Sequence, residues 1–471
     1  MINYLYNNTI KLINNATLMT FFSTFSRVGI GIAVLPLIIF KFDSYEVSLW
    51  LYLTTLLSFI SLASFGFGQS TVRSINYFLS GYNVIPQSIN QFNIKSEKLK
   101  HSIKINKDGI GDILFLTARV YNFLSIFAIF LISTLGTIVS WNIMSLGNHL
   151  FENWVSFGLV GIIAVLRIRF SRSVSIIEGF NFVAKIRSLE SLFGLSKIIL
   201  FTVLILLDFR IVHLLLVELF LQFFINLYSN RIIKSILLKD GIILSKIFNL
   251  EMFNQIWPST WRYGLMLFGS HFINNGTVLV VAQLSDTLII SSYLLTVRIL
   301  TIIRALSISQ FNANYPSLIK LVVSKNFFIV KKTITPIIQN AMLALTICLV
   351  AIFFIGNDVL NFLSKDINII DNYLFIIMSL GLLLEAHHGF HANIYLSTNH
   401  VPFLWPGLLS GIFIILVSLI LIEPLGILGV VLSQFFIQLA FNNWFPVYLN
   451  IRLLKWNFSD YTLNILNLRK I

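Results

Sequence analysis

Arg27 and Arg298 each stand near the middle of a long apolar run, 18–40 and 287–309. An arginine at the centre of a bilayer costs about 2.5–3.5 kcal/mol on insertion scales, so it needs a partner or a wet cavity. Thr20, Ser23, Arg27 and Gly31 share one helical face, and Thr287, Ser291, Arg298 and Thr301 share another. Ser270, Asn274 and Thr277 form a polar stripe on a third apolar run, and Thr54, Ser58 and Ser61 on a fourth. A guanidinium in such surroundings pairs bidentately with phosphate, so the chemistry indicated is anion binding, with a phosphate or diphosphate foremost. The competing reading has each arginine neutralised by a structural acid such as Glu218 or Glu385. Arg73, Arg119 and Arg304 are further candidate cavity cations, although snorkelling toward the membrane face also accounts for them.

A second cluster comprises Glu385, His387, His388 and His391. The i, i+3 spacings put Glu385, His388 and His391 on one helical face. Proton coupling or substrate contact suits them, because histidine titrates near neutral pH. An ordinary polar helix end is the alternative; a metal site needs more ligands than one face supplies, and the HExxH spacing is missing. Gly66 to Thr71 resembles a phosphate loop only faintly, lacking the lysine and the preceding strand. The lone Cys348 forms neither an intrachain disulfide nor a metal pair. No paired carboxylates or nucleophile elbow are visible, so neither an enzyme nor a cofactor is expected.

The elements that must carry these residues are membrane helices. Only 11% of the 471 residues are charged and 57% are hydrophobic, whereas soluble domains carry about 25% charged residues. A bilayer core needs about 20 apolar residues per helix. On that measure twelve spans are expected: 18–40, 47–68, 114–139, 154–173, 188–207, 211–228, 264–283, 287–309, 334–354, 372–393, 403–421 and 426–448. With a cytoplasmic N-terminus, nearly all lysines and arginines between spans fall inside, including Lys95 to Lys107, Arg167 to Arg172, and Arg231 to Lys246. The opposite side holds Lys41, Arg210 and Lys365. Short basic loops stay inside, so both termini are expected to be cytoplasmic. The net charge of +14 is thus a topology signal aided by anionic membrane lipids, not a nucleic-acid signal. The first apolar run is too long for a cleaved signal and is expected to remain as the first helix. Reporter fusions after Asn148 and Asp366 are expected to read exterior, and after Lys100 and Lys239 cytoplasmic.

The two halves echo each other. Asp43 and Trp50 correspond to Asp286 and Tyr293, and Asn181 to Asn399. Glu218, Gln222 and Asn226 correspond to Gln434, Gln438 and Asn442, each trio being one polar stripe. This fits six helices used twice in the same orientation, a parallel repeat, with chance coincidence as the alternative. The expected organisation is an N-terminal lobe 1–228, a cytoplasmic linker 229–263 and a C-terminal lobe 264–471. Pro36 is expected to kink the first helix.

The run Phe65-Gly66-Phe67-Gly68-Gln69-Ser70-Thr71-Val72-Arg73 resembles a segment of bacterial O-antigen and polysaccharide flippases of the Wzx type. Ile177 to Asn181, Tyr293 to Arg298 and Leu396 to Asn399 are similar to other segments of that family. Gln69 and Ser70 depart from it, where a proline or threonine run is the family habit. The resemblance spans essentially the whole chain. It implies an all-α polytopic fold of the multidrug/oligosaccharidyl-lipid/polysaccharide exporter superfamily, with two six-helix lobes around a central cationic cavity. It also implies transfer of an undecaprenyl-diphosphate-linked oligosaccharide across the bacterial inner membrane, with Arg27, Arg73 and Arg298 as cavity cations. A polysaccharide polymerase and a chain-length regulator are the implied partners. Two alternatives stay open: an ion-coupled multidrug exporter, which favours buried carboxylates over arginines, and a membrane polysaccharide polymerase or ligase, which needs a larger exterior loop.

Overall fold

A computed structural model describes residues 16–59, 66–79, 81, 105–146, 149–284, 286–308, 311, 314, 318, 321–322, 327–363, 367–396 and 402–456. The basic run from Lys95 to Lys104, the Ser397 to Asn399 segment, Asn148 and Asp366 lie outside them. The described chain is an all-α polytopic membrane protein. α1 covers 16–41, α2 Ser44–Phe59, α3 Phe67–Leu79, α4 Lys107–Ser145, α5 Leu150–Gly179, α6 Val183–Leu206 and α7 Ile211–Asp240. α8 covers Leu250–Val281, α9 Thr287–Ser307, α10 Phe327–Leu363, α11 Asn372–Leu396, α12 Leu404–Leu425 and α13 Ile427–Leu453.

Among the described residues, ten helices are long and apolar enough to cross a membrane. They correspond to the third through twelfth expected spans. Several outrun the expected bounds: α4 begins at Lys107, α8 at Leu250 and α10 at Phe327, and α7 ends at Asp240. Hydropathy marks only the lipid-crossing part, whereas backbone hydrogen bonding continues past it through good helix formers. α7 stops where Gly241 takes a left-handed φ of +60°, a conformation glycine adopts without a Cβ penalty. The expected linker 229–263 is therefore helical at both ends. The second span, expected over 47–68, is α2, and Gly66 at φ +77° precedes a separate α3.

At Pro36 the disturbance is a π-helical turn, Ile30–Val34, just N-terminal to it. Proline lacks an N–H and crowds the preceding turn, which a wide turn relieves. Two more π segments interrupt α4 at Ile132–Gly136 and α13 at Gln438–Asn442.

The chain packs as two compact units that do not coincide with its sequence halves. The first holds Met1–Arg27, Leu56–Ile138 and Phe151–Phe268; the second holds Val28–Thr55, Val139–Leu150 and Gly269–Ile471. α1, α2, α4 and α8 each pass through both. In the first unit, Ile75, Phe78, Ile113, Ile177 and Ile256 pack in one core. In the second, Ile334, Ile338, Phe390, Ile394 and Leu454 do the same. Large apolar side chains such as Phe130, Phe220 and Phe354 stay exposed, as helices in contact with lipid require.

Both units contain contacts between the sequence halves. In the second unit these lie at the helix ends expected outside. Ser48 Oγ donates to the Thr287 carbonyl at 3.2 Å, Gln283 Nε2 to the Val139 carbonyl at 2.8 Å and Asn142 Nδ2 to the Gln283 carbonyl at 3.2 Å. In the first unit they lie at the ends expected inside. There Ser70 Oγ meets Thr260 Oγ1 at 2.7 Å, and a Cβ on Gly66 would come within 2.6 Å of the Thr260 carbonyl oxygen. Gly66 thus serves twice, supplying positive φ and allowing close backbone approach.

Candidate substrate-binding site

Arg298 projects from α9 in the second unit, partly buried. The π turn of α1 packs against α9 there. A Cβ on Gly31 would lie 2.5 Å from Ile302 Cδ1 and 3.9 Å from Arg298 Nε, so the missing side chain makes room beside the guanidinium. No described residue forms a hydrogen bond or ion pair with the Arg298 side chain. π turns recur at functional sites because they re-aim side chains.

Arg27, in the first unit, is exposed and its Nε donates to the Ser23 carbonyl at 3.4 Å. Ser23 Oγ donates to Glu190 Oε2 at 2.7 Å. Arg187 pairs with Glu190 at 2.8 Å and also with Glu178. Asn181, at φ +62°, turns the chain between α5 and α6 and so brings Glu178 to Arg187. Glu178, Arg187 and Glu190 were not expected as a cluster. The helix boundary between them hides the relation from any single-helix spacing rule.

The structural acid Glu218 is 4% exposed and pairs with Arg167 and, at 2.7 Å, with Lys197. It thus neutralises cations other than the two candidates at the span centres. Arg73 is exposed, with Nη2 3.5 Å from Ser70 Oγ. Arg119 is exposed over the Phe115 ring at 5.1 Å.

The second unit also holds a cavity of about 260 Å³ between α8, α9, α11 and α13. Arg304 Nη1 pairs with Glu385 Oε1 at 2.5 Å and reaches Asn274 Oδ1 at 3.3 Å on its wall. Thr54, Ser58 and Ser270 are not among its lining residues. The expected Glu385–His388–His391 face divides among separate partners. Glu385 goes to Arg304, His388 Nδ1 meets Asn443 Oδ1 at 3.0 Å, and His391 Nδ1 meets Asn450 Nδ2 at 2.9 Å. The polar stripe of α13 is also re-registered. Gln434 and Gln438 line the cavity, but the π turn over Gln438–Asn442 brings Asn443 rather than Asn442 to it. Regular i, i+4, i+8 spacing cannot anticipate the extra residue.

No protein-family profile and no curated protein sequence matches the chain. Solved structures do. An inward-facing multidrug resistance MATE transporter of the MOP superfamily matches with a TM-score of 0.63 at 12% identity, covering 92% of this chain and 96% of that one. The lipid II flippase MurJ, in an inward closed conformation, matches with a TM-score of 0.61 at 13% identity, covering 96% of this chain and 90% of that one. A Vibrio cholerae MATE transporter variant matches with a TM-score of 0.56 at 11% identity, covering 94% and 98%. The chain has the fold these transporters share.

Proposed function

We propose that this protein is a flippase. It moves an undecaprenyl-diphosphate-linked oligosaccharide, an O-antigen or capsule repeat unit, from the cytoplasmic to the periplasmic leaflet of the bacterial inner membrane by alternating access. The observation that carries the reading is Arg298, a cation within a membrane span for which no described residue supplies a counter-charge. A permanent charge held there at a cost of several kcal/mol needs an anionic visitor, and a diphosphate fits a guanidinium fork. The polyprenyl tail is too apolar for such surroundings and stays in lipid. Polymerase and chain-length regulator would receive the unit on the exterior side.

The multidrug-exporter reading draws on the same fold, through the MATE neighbours. Removing the protein from its host separates the two. A flippase predicts lost surface polysaccharide, accumulation of lipid-linked repeat units with cytoplasmic sugars, and unchanged drug susceptibility. Unchanged polysaccharide with increased susceptibility would establish the exporter instead.

A further inference from the structure

We infer that the cavity between α8, α9, α11 and α13 is a subsite for one uncharged sugar ring of the transported head group. The inference rests on the flippase reading and names what lies beyond the diphosphate.

Asn274, Gln434, Gln438 and Asn443 put carboxamides on the cavity wall, and each carboxamide both donates and accepts, so the wall suits a ligand offering both a donor and an acceptor. A phosphate at neutral pH offers mainly acceptors and would face the carboxylate of Glu385. A metal cation offers no acceptor for Arg304 and would meet a carboxylate already held by a guanidinium. A sugar hydroxyl donates and accepts from one oxygen. Glu385 offsets the charge of Arg304 at 2.5 Å, so the wall is polar but close to neutral, which favours an uncharged ring over a uronic acid. Phe435 and Leu382 add apolar surface for the ring's C–H faces. About 260 Å³ is room for a single sugar ring within the usual range of small-molecule sites.

Gly381 provides the test. A Cβ there meets Phe435 Cδ2 at 3.5 Å, an ordinary contact, so Gly381→Leu fills the cavity from α11 without cutting a hydrogen bond. Leucine is the better helix former, so the melting temperature should hold or rise. The probes are two synthetic polyprenyl diphosphates, one bearing a neutral hexose and one a hexuronic acid. They are titrated against the full-length protein in nanodiscs. Wild type should bind the neutral lipid about tenfold more tightly, and Gly381→Leu and Gln438→Leu should each abolish that preference. Arg298→Gln should weaken both lipids equally, because they share the diphosphate. Equal binding of both lipids by wild type, or a preference unchanged in both cavity variants, overturns the subsite and means that the cavity holds water only. If neither lipid binds, the flippase reading fails instead. The subsite is then judged on free methyl hexoside by saturation-transfer NMR, where a signal identical in wild type and Gly381→Leu counts against it.

Discussion

Arg298→Gln is expected to remove most surface polysaccharide while leaving the protein at least as stable as wild type. A charge-assisted hydrogen bond contributes about 1.5–3 kcal/mol, so losing the guanidinium should weaken diphosphate capture roughly 10- to 100-fold. Arg298→Lys keeps the charge but not the two-pronged geometry and should give an intermediate loss. The stability sign separates binding from structure. Arg298 has no acidic partner among the described residues, so glutamine strands no carboxylate. Arg304→Gln behaves differently, because it strands the buried Glu385, whereas Arg167→Gln leaves Glu218 paired with Lys197. Leaving a buried charge without its partner costs about 3–5 kcal/mol, so Arg304→Gln should lower the melting temperature, and Arg167→Gln should lower it less. The measurement is surface polysaccharide in a strain lacking its own copy, with membrane protein levels and melting temperature recorded. Normal polysaccharide from a well-expressed Arg298→Gln variant rules the anion site out.

Linking the helix ends of the second unit that are expected to face outside should stop transport reversibly. Asn142 Nδ2 lies 3.4 Å from Gln283 Oε1, so two side chains from opposite sequence halves meet there. In a Cys348→Ala background, which removes the single native cysteine, cysteines at 142 and 283 can be joined by a short bifunctional thiosulfonate. If alternating access requires these ends to part, linked protein should lose at least about tenfold in transport, since tethering leaves the closed arrangement nearly alone in the population. Reductant should restore it. Full transport by completely linked protein would show that this contact does not open.

Much of this architecture is legible in the sequence, because lipid imposes simple rules. A helix must be long and apolar to cross, and the runs after residue 107 announce themselves on that ground. Asn274 and Arg304 are likewise visible as polar interruptions of apolar helices, and they meet on one cavity wall. What hydropathy and spacing miss is local geometry. The π turns over Ile30–Val34 and Gln438–Asn442 leave no compositional mark, yet the first packs α1 beside Arg298 and the second substitutes Asn443 for Asn442. The cluster of Glu178, Arg187 and Glu190 depends on the positive φ of Asn181, which lies between two helices rather than on either. The partners of Glu218 also escape a reading by charge alone. Arg167 and Lys197 lie on α5 and α6, and only packing decides that they, not Arg27, take the carboxylate.

Transport itself can be read in reconstituted membranes. Purified protein is placed in liposomes with a synthetic polyprenyl-diphosphate oligosaccharide carrying a fluorescent sugar, and a membrane-impermeant quencher is added outside. Wild-type protein should bring inner-leaflet label to the outside, extending quenching beyond the half seen without protein, and Arg298→Gln should leave that half protected. Quenching that stops at half with correctly folded wild-type protein would show that the protein does not move the lipid, and quenching that proceeds equally with Arg298→Gln would show that Arg298 does not hold the diphosphate.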